Sequence, residues 1–330
     1  MNKIFLITSG DPAGIGPEII LKLALSGDFC KRTSVVIGRK SIYEELIKKT
    51  KALIKINTVK NISEAKAGAL NLMEPGKKTS YVAGDGPGAA SAEEAISYVD
   101  LALDVAAKEK IAALITAPLS KKSVSLVRKN FSGHTFYLAD KTGVKREDVV
   151  MLFVSNSLKA ALVTQHLPLS QVSSAIREAS IIKITSNACE AMKKTLGVKN
   201  PKIAVCSLNP HAGEGGILGR EELDEIIPAI KKLKDIGIDA YGPVSSDAAA
   251  RDCLMNKAHL LVAMYHEQGI VPVKLFSHGR AVNMTWGLPF LRFSPLHGTA
   301  FDIAGKGAAK ADSMIETFNL ASKITDNLPR

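Results

Sequence analysis

Three histidines share one sequence setting. His166 follows AALVTQ, His211 follows IAVCSLNP and His266 follows LLVAMY. Each apolar run has the length of a buried strand, and each histidine stands just past it. Parallel strands deliver their carboxyl ends to one edge of a sheet, which is where open α/β sheets hold ligands. Three imidazoles converging there, with a coordination position left open, suit a catalytic divalent ion such as zinc. The other reading of a strand-end histidine is a ring bonded to backbone, and for His266 alone the two readings are even. His259 stands at the start of its run, so it belongs to the opposite edge and is read as structural.

A second group of residues could meet an anion. The stretch from Met264 to Thr299 holds Lys274, Arg280, Arg292 and a buried-looking Asn283 between short apolar runs, together with His278 and His297, either of which can reach a ligand. Upstream, SGHT places His134 and Thr135 at the start of a helical pattern, where both can donate to a phosphate. A histidine that merely caps a turn is the competing reading. LNPHAGEGGILGREE is too rich in glycine to be only a connector. Asp247, in GPVSSD, is either a helix cap or a site carboxylate. In SGDPAGIGPE the glycines match neither a dinucleotide fingerprint nor a P-loop, so tight packing of strand against helix is favoured over a phosphate cradle.

These residues need a frame. Strand-length runs occur at 4–8, 35–38, 111–116, 149–154, 160–164, 203–207 and 260–264, the last being read as the final central strand. Helical spacing covers the segment after Pro17, 41–49 with Ser41 as cap, the segment after Ser91 with a capping box, 169–176, 180–196 and a long C-terminal helix after Gly305-Lys306-Gly307. Gly84-Asp85-Gly86-Pro87-Gly88 and 242–247 read as turns. Strands alternating with helices predict an α/β protein with a largely parallel sheet. With 330 residues, two α/β subdomains are expected, with no boundary legible.

The net charge of +11 raises nucleic-acid binding. The basic residues, however, are scattered (Lys48, Lys49 and Lys51; Lys77 and Lys78; Lys121 and Lys122) and no aromatic residues interleave with them as a stacking platform requires. An anionic small-molecule substrate and solvated helix faces account for the charge better. Four isolated cysteines read as reduced thiols. The short apolar start is unlike a secretory signal, and no run is long enough to cross a bilayer. A cytoplasmic enzyme bound to neither membrane nor nucleic acid is expected.

SGDPAGIGPEI, TAPLSK, SGHT, the HLP turn, LNPHAGEGGILGREE, YHEQG, GRAVNMTWGLPFLR and HGTAFDIAGKG span nearly the whole chain. Together they resemble the 4-hydroxythreonine-4-phosphate dehydrogenase family of vitamin B6 biosynthesis. The resemblance implies an isocitrate/isopropylmalate-dehydrogenase-like fold with a cleft between two subdomains, and a homodimer with its active site at the interface. It implies metal ligands at His166, His211 and His266, and substrate contacts at His134, Thr135, Lys274, Asn283 and Arg292. It also implies NAD or NADP and one divalent ion, zinc, magnesium or cobalt, per site. The implied reaction is oxidation of 4-phosphohydroxy-L-threonine at C3, then loss of CO₂ to give 3-amino-2-oxopropyl phosphate. Lys274 and Asp247 are the candidate catalytic groups.

Several positions depart from the family pattern. GHTE reads GHTF, with Phe136 for an acid; HDQG reads HEQG, with Glu267; an Asp becomes Leu296; and ADT reads Ser246-Asp247-Ala248. A dehydrogenase for D-erythronate or D-threonate 4-phosphate is the near alternative. A phosphate acyltransferase-like enzyme or a non-catalytic anion-binding protein is the alternative of another class.

Overall fold

The computed structural model describes residues 3–76, 79–81 and 86–328. Lys77, Lys78, Gly84 and Asp85 lie outside the described residues. The chain divides into two compact units, Met1–Gly143 with Leu288–Thr325, and Val144–Gly287 with Asp326–Arg330. Both are α/β, as the alternation of apolar runs predicts.

The strands are β1 (Ile4–Thr8), β2 (Thr33–Ile37), β3 (Ile56–Thr58), β4 (Leu70–Met73), β5 (Ala113–Thr116), β6 (Val150–Val154), β7 (Lys159–Leu162), β8 (Ile203–Cys206), β9 (Ala240–Val244), β10 (Leu260–Ala263), β11 (Val282–Trp286) and β12 (Arg292–Pro295). The first unit orders its strands β3-β4-β2-β1-β5-β12, and neighbours run parallel throughout. The second orders them β11-β6-β7-β10-β8-β9. There β11/β6 and β6/β7 are antiparallel and the rest parallel. Strands covered on both faces read as unbroken apolar runs rather than alternation, and β6, VMLFV, is buried at every position.

In the first unit the helix Ala89–Lys108 lays Tyr98, Val99 and Ala102 on Leu6, Val35 and Leu114 of the sheet. Phe318 of the C-terminal helix Asp312–Asn327 stacks its ring 5.3 Å from Phe5 and 5.5 Å from Phe29. The glycine-rich N-terminal turn is a packing device. Gly16 opens the helix Gly16–Ala24 with so little room that a Cβ would fall 2.1 Å from the Ser9 carbonyl oxygen. Ile15 N–H donates to Thr299 O at 2.9 Å and Asp11 N–H to Pro118 O at 2.9 Å. The packing reading of this loop therefore holds.

Some expectations need correction. Leu260–Ala263 is not the final strand, because β11 and β12 follow it; both mix polar residues with apolar ones and so carry no unbroken run. Residues 242–244 belong to the edge strand β9 rather than a turn, and a proline is tolerated there because an edge strand need not donate on its outer side. The helix Lys40–Thr50 takes Arg39 as its cap residue, with no side-chain cap from Ser41. The helix predicted after Ser91 begins three residues earlier: Gly88 is its cap residue, and Ser91 Oγ accepts the Gly88 N–H at 3.0 Å. Glu94, expected to cap, is instead 1% exposed and receives Arg39 Nε at 2.6 Å.

Candidate active site

In the second unit β7, β10 and β8 are neighbours and parallel, so the three histidine-bearing strand ends do share one edge. His166 lies past β7, His266 opens the helix His266–Ser277 past β10, and His211 lies past β8. The His166 and His266 rings stand 5.6 Å apart between centroids. Glu267 Oε1 lies 2.9 Å from His266 Nδ1, and that bond holds the Glu267 carboxyl below its ordinary value. A carboxylate on one ring nitrogen orients an imidazole so that the other faces a cation. Among the described residues no set of three or more His, Cys, Asp or Glu is assembled as a ready metal cluster. The His166–His266 pair with its carboxylate suits a divalent ion, and His211 is the nearest histidine in the strand order to complete it.

Backbone ties register these ends. Thr164 gives its N–H (3.1 Å) and its hydroxyl (2.7 Å) to Met264 O. Gln268 accepts the Met264 N–H at 2.7 Å and donates its amide to Ser207 O at 2.7 Å. One side chain thus joins the ends of β10 and β8 while Thr164 joins β7 to β10. Neither residue stood out in the sequence, since each acts across contacts distant along the chain.

Asn283, on β11, is buried; its Nδ2 reaches the Met151 sulfur at 3.5 Å, and its Oδ1 has no hydrogen-bond partner among the described residues. A ligand hydroxyl or ammonium would satisfy that oxygen. Lys274 is exposed in the last turn of His266–Ser277. Asp247 is exposed in the first turn of the helix Ser246–Leu254, whose cap residue is Ser245. A hydrogen bond from Ser245 holds its carboxyl below the ordinary value. His278 and Arg280 are exposed. His259 Nδ1 accepts the Lys202 N–H at 3.0 Å, the structural role expected for it.

The first unit brings together the residues read from the sequence as candidate anion contacts. Arg292, at the start of β12, is 3% exposed and gives Nε (3.2 Å) and Nη2 (2.6 Å) to Thr116 Oγ1 at the end of β5. Burial lowers its guanidinium to about 9, which leaves it cationic at neutral pH. His134 and Thr135 open the helix His134–Thr142 behind Gly133. Thr135 is buried, and His134 Nε2 is buried without a hydrogen-bond partner among the described residues. Burial, then the charge of Arg292, hold this imidazole well below its ordinary value. Lys121, the lysine of TAPLSK, packs over the turn so closely that a Cβ on Gly133 would meet its Cε at 2.9 Å. Partial burial lowers its ammonium too. Two cationic side chains, a neutral imidazole and a helix N-terminus suit a phosphate or carboxylate. The sequence pointed to Arg292, His134 and Thr135; Thr116 and Lys121 join them only through the β5–β12 pairing and the packing of the turn. His297 Nδ1 lies 3.1 Å from Gly298 O. A cavity of ≈ 160 Å³, lined by Pro12, Gly14, Glu18, Glu45, Tyr81 and Gly305 among others, opens beside the N-terminal turn.

Residues 30–321 match the family described as pyridoxal phosphate biosynthetic protein PdxA. A 4-hydroxythreonine-4-phosphate dehydrogenase of Neisseria meningitidis serogroup B is 39% identical over 98% of this chain and 98% of its own. A Fusobacterium nucleatum protein, provisionally named a D-threonate 4-phosphate dehydrogenase, is 36% identical over 99% of this chain and 98% of its own. The crystal structure of 4-hydroxythreonine-4-phosphate dehydrogenase from Klebsiella pneumoniae matches with a TM-score of 0.87 at 32% identity, covering 98% of this chain and 100% of that one. Likeness of this extent, in sequence and in fold, makes the chain a member of the PdxA family.

Proposed function

We propose that this protein is an NAD(P)-dependent dehydrogenase that oxidises 4-phosphohydroxy-L-threonine at C3 and releases CO₂, giving 3-amino-2-oxopropyl phosphate for pyridoxal phosphate biosynthesis. The observation that carries the reading is likeness along the whole chain to dehydrogenases named for that substrate. The two residue groups of the site agree with it. Arg292, His134 and Thr135 hold the phosphate or carboxylate, and the neutral imidazole does so as donor. The Asn283 carbonyl takes a hydroxyl or ammonium of the substrate. Lys274 balances the second anionic group and serves as proton donor or acceptor, and Asp247, kept ionised, faces the amino group. A divalent ion held by His166, His211 and His266 would supply Lewis-acid stabilisation of the oxygen at C3 when bound. NAD or NADP, when bound, would supply the hydride acceptor.

The test is the change in nicotinamide absorbance with the purified protein, NAD or NADP, and zinc, magnesium or cobalt, with the product identified by mass. No reduction of either cofactor with any phosphorylated hydroxy acid would leave the acyltransferase-like or binding-protein reading instead.

A second reading has its own support. Phe136, on the helix His134–Thr142, and Leu296, just past β12, are half-buried apolar residues where the family pattern has acids. An ammonium in a closed pocket needs a carboxylate, because a buried unpaired charge is costly. A phosphorylated sugar acid such as D-threonate or D-erythronate 4-phosphate has no ammonium, and one relative is named for such a substrate. Loss of a charge-assisted hydrogen bond is worth about 1.5–3 kcal/mol, or one to two decades in specificity. The comparison of kcat/KM for 4-phosphohydroxy-L-threonine and 4-phospho-D-erythronate is expected to show weak discrimination. A preference for the amino acid above about a hundredfold exceeds what that one interaction explains and would remove this reading.

A further inference from the structure

We infer that Glu222 is the positioning residue of His211. The inference rests on reading His211 as a metal ligand. Glu222 is 1% exposed and takes no part in the chemistry described above. Its Oε1 accepts the backbone N–H of Leu208 (2.8 Å) and of Asn209 (2.7 Å), and its Oε2 accepts Asn209 Nδ2 at 2.9 Å. Asn209 Nδ2 also reaches Glu221 Oε2 at 2.7 Å. No salt bridge of Glu222 occurs among the described residues, so donors from this one loop compensate its buried charge.

What that carboxylate braces is an unfavourable piece of backbone. From His211 to Gly215 every residue has positive φ, at 51°, 53°, 77°, 47° and 64°. Three of the five, His211, Ala212 and Glu214, carry a Cβ and resist this conformation. A run of such residues persists only where its surroundings over-determine it. Glu222 is that surrounding. Its Oε1 fixes the entry at Leu208–Asn209, and its Oε2 lies 2.8 Å from where a Cβ on Gly213 would fall. Leu218 N–H closes the turn on Gly213 O at 3.1 Å. The carboxylate therefore holds the segment that leads into the left-handed turn and lies beside its middle, and this is what sets the direction in which His211 leaves the chain. If Glu222 only started the helical segment that follows, His211 would not depend on it.

The experiment compares the full-length protein with Glu222→Ala, Glu222→Gln, Gly213→Ala and His211→Ala. Amide hydrogen exchange is measured on metal-free protein, and Co²⁺ affinity by titration of apo protein. The expected result is at least about tenfold faster exchange at Leu208 and Asn209 in both Glu222 variants, with Co²⁺ affinity down about 10–100-fold, the usual cost of losing a residue that orients a ligand. Gly213→Ala, which keeps Glu222 but sets a methyl group against its Oε2 and the Gly219 carbonyl oxygen at a residue of φ 77°, is expected to weaken Co²⁺ similarly by disturbing the turn itself. Glu222→Gln keeps the volume and one acceptor, so it carries the test if Glu222→Ala does not fold. Unchanged exchange in the Glu222 variants overturns the proposal. So does Co²⁺ affinity at the wild-type level in those variants when His211→Ala lowers it. If His211→Ala itself leaves Co²⁺ binding intact, the ligand reading is what fails, and the exchange data alone decide whether Glu222 holds the turn.

Discussion

Thr116 and His134 show how single side chains would set the properties of the proposed anion site. Thr116 Oγ1 receives two nitrogens of Arg292, which fixes the plane of the guanidinium. Thr116→Val keeps the shape and removes the acceptor, while Thr116→Ser keeps the acceptor. A hydrogen bond to a charged group contributes about 1.5–3 kcal/mol. KM for the phosphorylated substrate, and the inhibition constant of inorganic phosphate, should therefore rise at least about tenfold in the valine variant, with kcat changed less and the serine variant near wild type. Equal loss in both variants would show that Thr116 acts only by packing. His134 gives a pH prediction. Burial and Arg292 hold its imidazole well below the ordinary histidine value, so as pH falls the unfolded chain takes up a proton that the folded chain refuses. The unfolded state then binds more protons, and stability drops as pH falls below that ordinary value. Above it both states are neutral and His134 contributes no slope. Tm measured from neutral to mildly acidic pH should fall more steeply in the wild type than in His134→Gln, and identical slopes would contradict the assignment. Of these residues, Arg292, His134 and Thr135 were legible because their types suit an anion and sit in dense motifs. Thr116 was not, because nothing in TAPLSK reveals that β5 will pair with β12.

At the scale of elements, the strand-end histidines were the most legible feature. An apolar run fixes where a buried strand ends, and β7, β10 and β8 turned out to be parallel neighbours. The strands that escaped notice were the short or mixed-polarity ones, β3, β4, β9, β11 and β12, which carry no unbroken apolar run of strand length. Escaping because their partners are distant in sequence were the residues that register the strand ends: Gln268 reaches Ser207 across |i−j|=61 and Glu222 reaches Leu208 across |i−j|=14. The functional consequence is a metal prediction. Replacing His166, His211 or His266 by Ala should lower the bound divalent metal measured by elemental analysis. Turnover should fall roughly a thousandfold or more, since a Lewis acid contributes several kcal/mol to such a transition state. Full activity of exhaustively metal-free wild-type protein would refute this.

At the scale of the molecule, the first unit is discontinuous, entering at the N-terminus and returning at Leu288. Its boundaries fall at Gly143, the left-handed end of the helix His134–Thr142, and at Gly287 after β11. Neither lies in a linker of distinct composition, which is why no boundary was legible. The helix His266–Ser277 carries His266 and Lys274 and also leaves Val271, Leu275 and Phe276 exposed at 48%, 66% and 47%. Val271 and Leu275, one turn apart, share a face with Phe276 at its margin, and an exposed apolar group of this kind would suit an association surface. A second copy of this chain is the occupant that the family resemblance implies, and a closed twofold dimer is the commonest way to cover such a face. An interface beside His266 and Lys274 would let one chain complete the other's site. Sedimentation should then give a dimer, and Val271→Glu with Leu275→Glu should shift it toward monomer with loss of activity. The sharper measurement co-refolds pairs of inactive variants drawn from His166→Ala, His266→Ala and Arg292→Ala. If a pair's residues come from different chains, half the molecules are mixed dimers holding one intact site of two, so activity should return to about a quarter of wild type. An active monomer, together with no rescue in any pair, would rule out a shared site.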